Sequence, residues 1–194
     1  MMLVSLDNLV SGAIAGKVVS FPTDTVPALA ALPELGASIF ATKQRPPQKP
    51  LILMAANISQ LWNYVVSSPD EFEIWQQVAQ KYLPGALTLV LPASEKVPVN
   101  MNPVNTKTIG IRVPNSAIAK SILAQTGPLA TTSANLSGQP PLMSMVEIDT
   151  LFPDVLTLAT AELIDEEVNT GVPSTVIKWN GNEWDILRQG AVKF

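Results

Sequence analysis

An α/β fold built on a mixed sheet is the architecture this 194-residue chain predicts, and three observations carry it. Short apolar runs with strand character alternate with segments of helical periodicity along the whole length. One tight-hairpin signal, Asn180-Gly181, stands between two strand-like runs near the C-terminal end. The other strand-like runs are joined by long connections, as crossovers in a partly parallel sheet require. At roughly 150 residues per domain the chain forms one domain, 1–194. Hydrophobic residues make up 47% of it, enough for a full core without staples.

Ser5 to Ala15 reads as a short helix, with Leu6, Leu9, Val10, Ala13 and Ile14 on one face and Gly16 behind its end. Val18 to Phe21 is a strand closed by Pro22. Gly36 to Thr42 is helical, Leu51 to Met54 a strand, and Asn57 to Val65 helical again. Ser68-Pro69-Asp70-Glu71 is a helix start: serine caps, proline suits the first turn, and Glu71 completes a capping box. That helix runs to about Tyr82 and stops before Pro84-Gly85. Leu87 to Leu91 and Thr108 to Val113 are strands, separated by a proline- and asparagine-rich loop. Asn115 or Ser116 caps a helix that ends at Gly127. Leu129 to Thr132 is strand-like and Val146 to Leu151 helical. Ser174 to Trp179 and Glu183 to Arg188 flank the hairpin signal.

The chain contains no cysteine and no histidine, which excludes disulfides, thiol nucleophiles, imidazole bases and histidine-bound metals. Its chemistry falls to carboxylates, lysines, arginines, hydroxyls and backbone amides. Charged residues are only 14%, against about 25% in an ordinary domain. The net charge of −4 and pI near 4.8 argue against a broad electrostatic grip on nucleic acid and leave room for a local contact. Mean hydropathy is +0.26, yet proline and glycine interrupt the longest charge-free stretch, Ser121 to Val146, so no membrane contact is expected. The N-terminus lacks a basic leader region, and a cytoplasmic protein is expected.

Arginine is scarce: Arg45, Arg112 and Arg188 are the only three. Arg112 lies inside an apolar strand, where a charge needs a partner. Lys43, Arg45 and Lys49 make a proline-stiffened basic run, which reads either as a solvated loop or as a polyphosphate clamp. Neither GxxxxGK nor GxGxxG occurs, so phosphate would be held by side chains. Two apolar strands end in hydroxyls, at 23–25 and 131–137, and strand ends are where α/β folds place ligands.

These residues carry a resemblance. FPTDTV at 21–26, K-Q-R-P at 43–46, KPL at 49–51, LPGALT at 83–88, TIGIRVP at 108–114, TTSANLSG at 131–138, STV at 174–176 and LRQGA at 187–191 occur in the order of the YrdC-like domain family, the YrdC/YciO group of threonylcarbamoyl-AMP synthases. The resemblance implies a twisted α/β sheet flanked by helices around a concave, positively lined cavity, in a stand-alone form. It implies a nucleotidyltransferase reaction in which L-threonine, bicarbonate and ATP give threonylcarbamoyl-AMP and pyrophosphate. Partner proteins would then modify a tRNA adenosine. Mg²⁺ would ride on the phosphates, with no protein metal site.

The family's signature maps onto Lys43, Arg45, Ser133 and Asn135 as the catalytic set. Thr23, Arg112, Thr131 and Ser174 would hold threonine. Lys43, Pro47, Thr108, Ser133, Pro141 and Arg188 would line the ATP site. Where members read PTDTVYGLG, this chain has Pro27, Ala28 and Ala30 in place of a tyrosine and two glycines. Read as a loop, that segment predicts altered amino-acid choice, in line with the alternative of a divergent YciO-like paralogue. A non-catalytic RNA-binding module is the reading the acidic pI opposes.

Overall fold

The structure is a computed structural model that describes residues 2–162 and 170–194. In chain order its elements are β1 (Leu3–Val4), α1 (Leu6–Ile14), β2 (Val19–Phe21), β3 (Ala28–Ala31), α2 (Gly36–Lys43), β4 (Ile52–Met54), α3 (Ile58–Leu61), α4 (Pro69–Tyr82), β5 (Leu87–Pro92), β6 (Thr108–Arg112), α5 (Ala117–Thr126), β7 (Leu129–Ser133), α6 (Met145–Leu151), β8 (Leu156–Leu158), β9 (Thr175–Trp179) and β10 (Trp184–Arg188). The strands among the described residues form one sheet in the order β1-β8-β2-β3-β7-β4-β6-β5-β9-β10. Pairing is mixed: β1/β8, β8/β2, β4/β6 and β5/β9 are parallel and the rest antiparallel.

Local chemistry sets the helix starts. Ser68 accepts from the N–H of Glu71 while Glu71 accepts from the N–H of Ser68, which closes the capping box at α4. Ser116 accepts from Ala119 N–H at the start of α5. The segment expected as one helix over 57–65 is a single α turn, α3, followed by a 3₁₀ turn at Trp62–Tyr64. The hairpin between β9 and β10 turns over four residues rather than two. Asn180 Oδ1 accepts the N–H groups of Asn182 and Glu183, and Asn180 N–H donates to the Glu183 carbonyl.

Three strands, β1, β3 and β8, are absent from the sequence-based reading. The most consequential is β3. Ala28, Leu29, Ala30 and Ala31 have weak strand propensity, but β2 pairs on one side and β7 on the other, and all four are buried. The segment read as an altered loop is therefore a central strand. Ala28 and Ala30 have no positive φ, so they occupy no glycine-only conformation.

Strand alternation divides the sheet into a core face and a cavity face. Leu53, Leu87, Leu89, Leu91, Ile109, Ile111, Ile177 and Trp179 pack with Ile39, Leu61 and Trp75 from α2, α3 and α4. The residues between them on β4, β5, β6 and β9 are Ile52 and Met54, Thr88 and Val90, Thr108, Gly110 and Arg112, and Val176 and Lys178. All of these line the open side. At the other end, α1 and α5 cover Val19, Phe21, Ala28 and Ala30, while α6 covers Leu29. No helix among the described residues is long and apolar enough to cross a membrane.

Candidate active site

Two adjoining cavities occupy the open face of the sheet. The first, about 130 Å³, is lined among others by Thr23, Ala28, Arg112, Thr131, Ser133 and Ser174. The second, about 350 Å³, is lined among others by Thr88, Val104, Thr108, Gly110, Val176 and Lys178. Arg45, Pro50, Ile52 and Arg188 belong to both, so these residues form the junction. Among the described residues, neither lining contains a carboxylate.

Arg112 ends β6, pointing away from the core because its neighbours Ile111 and Val113 point in. Its Nη2 donates to Asp24 Oδ1 at 2.6 Å, its Nη1 to Thr25 Oγ1 at 2.9 Å and its Nε to the Gly85 carbonyl at 3.1 Å. The partner required for a buried strand charge is thus a protein carboxylate, and the guanidinium still borders the first cavity. Burial pulls the Arg112 pKa down and Asp24 pushes it back up. The arrangement fits a planar fork better than an ammonium.

Gln44 takes the left-handed conformation, φ 50°, and ends α2. The turn separates Lys43, which points beneath β7, from Arg45, which points to the cavity junction. Arg45 Nε and Nη2 donate to the carbonyls of Lys49 and Pro50, which leaves its remaining N–H groups for a ligand. Arg188 Nε and Nη2 donate to the Ser174 carbonyl, and Nη2 also to Ser174 Oγ. Burial lowers the pKa of Arg45 and, secondarily, Arg188 lowers it further, so the two guanidinia repel each other across the junction.

The run after Arg188 is held by Thr175. Its Oγ1 accepts the N–H groups of Gly190 and Val192 and donates to the Val192 carbonyl. A side chain at Gly190 would lie 2.2 Å from the Pro173 carbonyl oxygen, which is why this position takes glycine.

Lys43 is fully buried. Its Nζ donates to the Ser133 carbonyl, to Asn135 Oδ1 at 3.0 Å and toward Ser133 Oγ at 3.4 Å. Asn135 Nδ2 is committed to the carbonyls of Leu136 and Gln139. Burial first, then Arg45 and Lys49, lower the Lys43 pKa to about 7.

The structure therefore gathers Thr23, Arg45, Arg112, Thr131, Ser133, Ser174 and Arg188 in the first cavity, and Thr108 with Arg45 and Arg188 in the second. Lys43 and Asn135 sit in the wall behind Ser133. Pro47 and Pro141 line neither of the two. Sequence reasoning missed Asp24 and Thr25 as partners of Arg112, and Lys178 in the second cavity. Asp24 had one signal: it is the only carboxylate of the 21–26 motif.

Residues 13–190 match the family model Sua5/YciO/YrdC, described as "Telomere recombination". The threonylcarbamoyl-AMP synthase of Pyrococcus abyssi is 38% identical over 184 residues, covering 91% of this chain and 51% of the relative. That of Bacillus subtilis is 32% identical, covering 91% and 50%. The chain thus spans about half the length of these curated relatives. The Vibrio campbellii threonylcarbamoyl-AMP synthase is 32% identical over 96% of this chain and 99% of its own length. Among solved structures, P. abyssi Sua5 complexed with L-threonine superposes with a TM-score of 0.84 at 32% identity, covering 95% of this chain and 54% of that one. Escherichia coli YciO superposes with a TM-score of 0.81 at 25% identity, covering 97% and 90%.

Proposed function

This chain belongs to the Sua5/YciO/YrdC family, and from that premise we propose that it is a threonylcarbamoyl-AMP synthase of nucleotidyltransferase type, acting in the cytoplasm. Its substrates are ATP, L-threonine and bicarbonate. The observation that carries this reading is a pair of cavities, lined by no acid among the described residues, that join at Arg45 and Arg188. Such a surface suits two anionic ligands that must meet.

Threonine occupies the first cavity, with its carboxylate near Arg112 and its hydroxyl and amine among Thr23, Thr131 and Ser174. ATP extends from the junction into the second cavity past Thr108, and Ser133 and Arg188 flank its phosphates. Pro47 and Pro141 stiffen the loops that carry Arg45 and the 131–138 run. Lys43 and Asn135 hold Ser133 in place.

Threonine takes up carbon from bicarbonate to become a carbamate. A carbamate oxygen attacks the α-phosphorus and the bond to pyrophosphate breaks. The work of the site is positioning and charge neutralisation, with Arg45 and Arg188 placed where negative charge accumulates. A Mg²⁺ accompanying ATP finds no lining carboxylate among the described residues and would rest on the phosphates themselves, so no step is drawn through it. Partner proteins then carry the threonylcarbamoyl group to a tRNA adenosine, with any RNA contact of this chain confined to a local patch.

One observation favours a second reading, a paralogue of altered amino-acid choice. Arg112 already has a carboxylate partner in Asp24. A single assay separates the two: pyrophosphate release with ATP and bicarbonate against each amino acid in turn. Threonine as the best substrate supports the first reading, and another amino acid the second.

A further inference from the structure

The one buried amine of the site reaches the cavity only through a hydroxyl. Lys43 is 0% exposed, and Ser133 stands between it and the first cavity. Ser133 Oγ lies 3.4 Å from Lys43 Nζ and 2.6 Å from Asn135 Oδ1. Among the described residues no carboxylate is within ion-pair distance of Lys43. The charged groups that bear on it are the cations Arg45 and Lys49. Of the described elements packed most closely against α2, the turn Pro33–Leu35 carries an acid, Glu34, and it lies at the opposite end of the helix.

This geometry allows two hydrogen-bond arrangements. With the amine neutral, Nζ donates to the Ser133 carbonyl and to Asn135 Oδ1, and its lone pair faces the Ser133 hydroxyl. With the amine protonated, Nζ donates to Ser133 Oγ, whose proton turns to Asn135 Oδ1. Burial with no counter-ion among the described residues holds the two states close in free energy near neutral pH.

We propose that Ser133 and Lys43 form a proton relay that deprotonates the α-ammonium of the bound amino acid before it is carboxylated. This rests on the synthase reading above. An N–H bond of the ammonium breaks and its proton passes to Ser133 Oγ, while the Ser133 hydroxyl proton passes to Lys43 Nζ. The freed nitrogen lone pair forms the N–C bond to the bicarbonate carbon. The bicarbonate hydroxyl leaves that carbon and takes a second nitrogen proton as water. Lys43 returns its proton to solvent after product leaves. The relay serves carbamate formation and has no part in attack on phosphorus.

The test compares the two directions of the reaction in the parent, Lys43→Met and Ser133→Ala. The forward reaction is threonine- and bicarbonate-dependent pyrophosphate release, followed from pH 6 to 9. The reverse is ATP formation from threonylcarbamoyl-AMP and pyrophosphate, which needs no ammonium deprotonation. The forward rate of the parent should rise through about pH 7 and level off. In both variants it should fall about 100-fold or more at pH 7 and climb steadily with pH, the signature of a lost base. Reverse turnover loses only what Ser133 contributes beside the phosphates, so it should fall at least about tenfold less than the forward rate at pH 7 and keep the parent's pH profile, and its presence shows that the variants are folded. Ser133→Thr keeps a hydroxyl and should keep the plateau. The relay is overturned if Lys43→Met retains the parent's forward profile, or if forward and reverse rates fall together. A parent inactive in both directions refutes the synthase reading itself, and the relay with it.

Discussion

Removing the carboxylate of Asp24 strips Arg112 of its counter-charge. The pair is short, 2.6 Å, with side chains only 6% and 13% exposed. Breaking a buried pair by deleting one partner costs about 3–5 kcal/mol, because the remaining charge is left desolvated. Arg112 keeps the Thr25 hydroxyl and the Gly85 carbonyl and borders a cavity, so the lower end applies, about 3 kcal/mol for Asp24→Ala. At about 2–4 °C per kcal/mol for a domain of this size, the melting temperature should fall by about 6–12 °C. Asp24→Asn keeps an acceptor for Nη2 and should lose less. Calorimetric or fluorescence melting measures both. Added L-threonine should then stabilise Asp24→Ala more than the parent, since its carboxylate meets an unpaired guanidinium. A melting point within about 2 °C of the parent would refute the reasoning, because the pair would then contribute nothing measurable.

Arg45→Ala should weaken ATP binding about 10- to 150-fold by titration calorimetry, the loss of one charge-assisted phosphate contact worth about 1.5–3 kcal/mol. Lys43 has a folded pKa of about 7, below its ordinary 10.5, so folding disfavours its charged form. Below pH 7 it is charged in both states and the penalty is complete. Between about 7 and 10.5 the unfolded chain holds the extra proton, so this residue makes stability rise with pH. Urea midpoints should show that rise in the parent and lose it in Lys43→Met. Gly190→Ala drives a side chain to 2.2 Å from the Pro173 carbonyl and should both lower the melting temperature and weaken ATP binding, because it displaces the Ser174 anchor of Arg188.

Legibility followed physical signal. Leu87–Leu91 and Thr108–Val113 were legible as strands because alternating β-branched and apolar residues have few other solutions. That alternation also implied a second face, the one that became the cavity wall. The strand at Ala28–Ala31 was not legible: alanine favours no strand by itself, and pairing with β2 and β7 decided the matter. Consequently Pro27, Ala28 and Ala30 act by what they present to the first cavity or to the core, not by forbidding a loop conformation.

Arg112 was legible as a charge in need of a partner, but the identity of that partner depended on folding across 88 positions of chain. Lys43 misled in a different way. Beside Arg45 and Lys49 it reads as part of a basic loop, whereas it closes α2 and turns inward, and Gln44's left-handed backbone separates it from the cations that follow.

The central claim is that one face of this sheet joins an amino acid, bicarbonate and ATP. Quench the purified protein after incubation with ATP, L-threonine and isotope-labelled bicarbonate, and measure the products by mass spectrometry. The expected product is threonylcarbamoyl-AMP carrying the label in its carbamoyl carbon, formed in step with pyrophosphate and reduced at least about tenfold in Arg45→Ala at subsaturating ATP. Pyrophosphate release without labelled adduct, or no turnover with any amino acid by a folded protein that binds ATP, would contradict it.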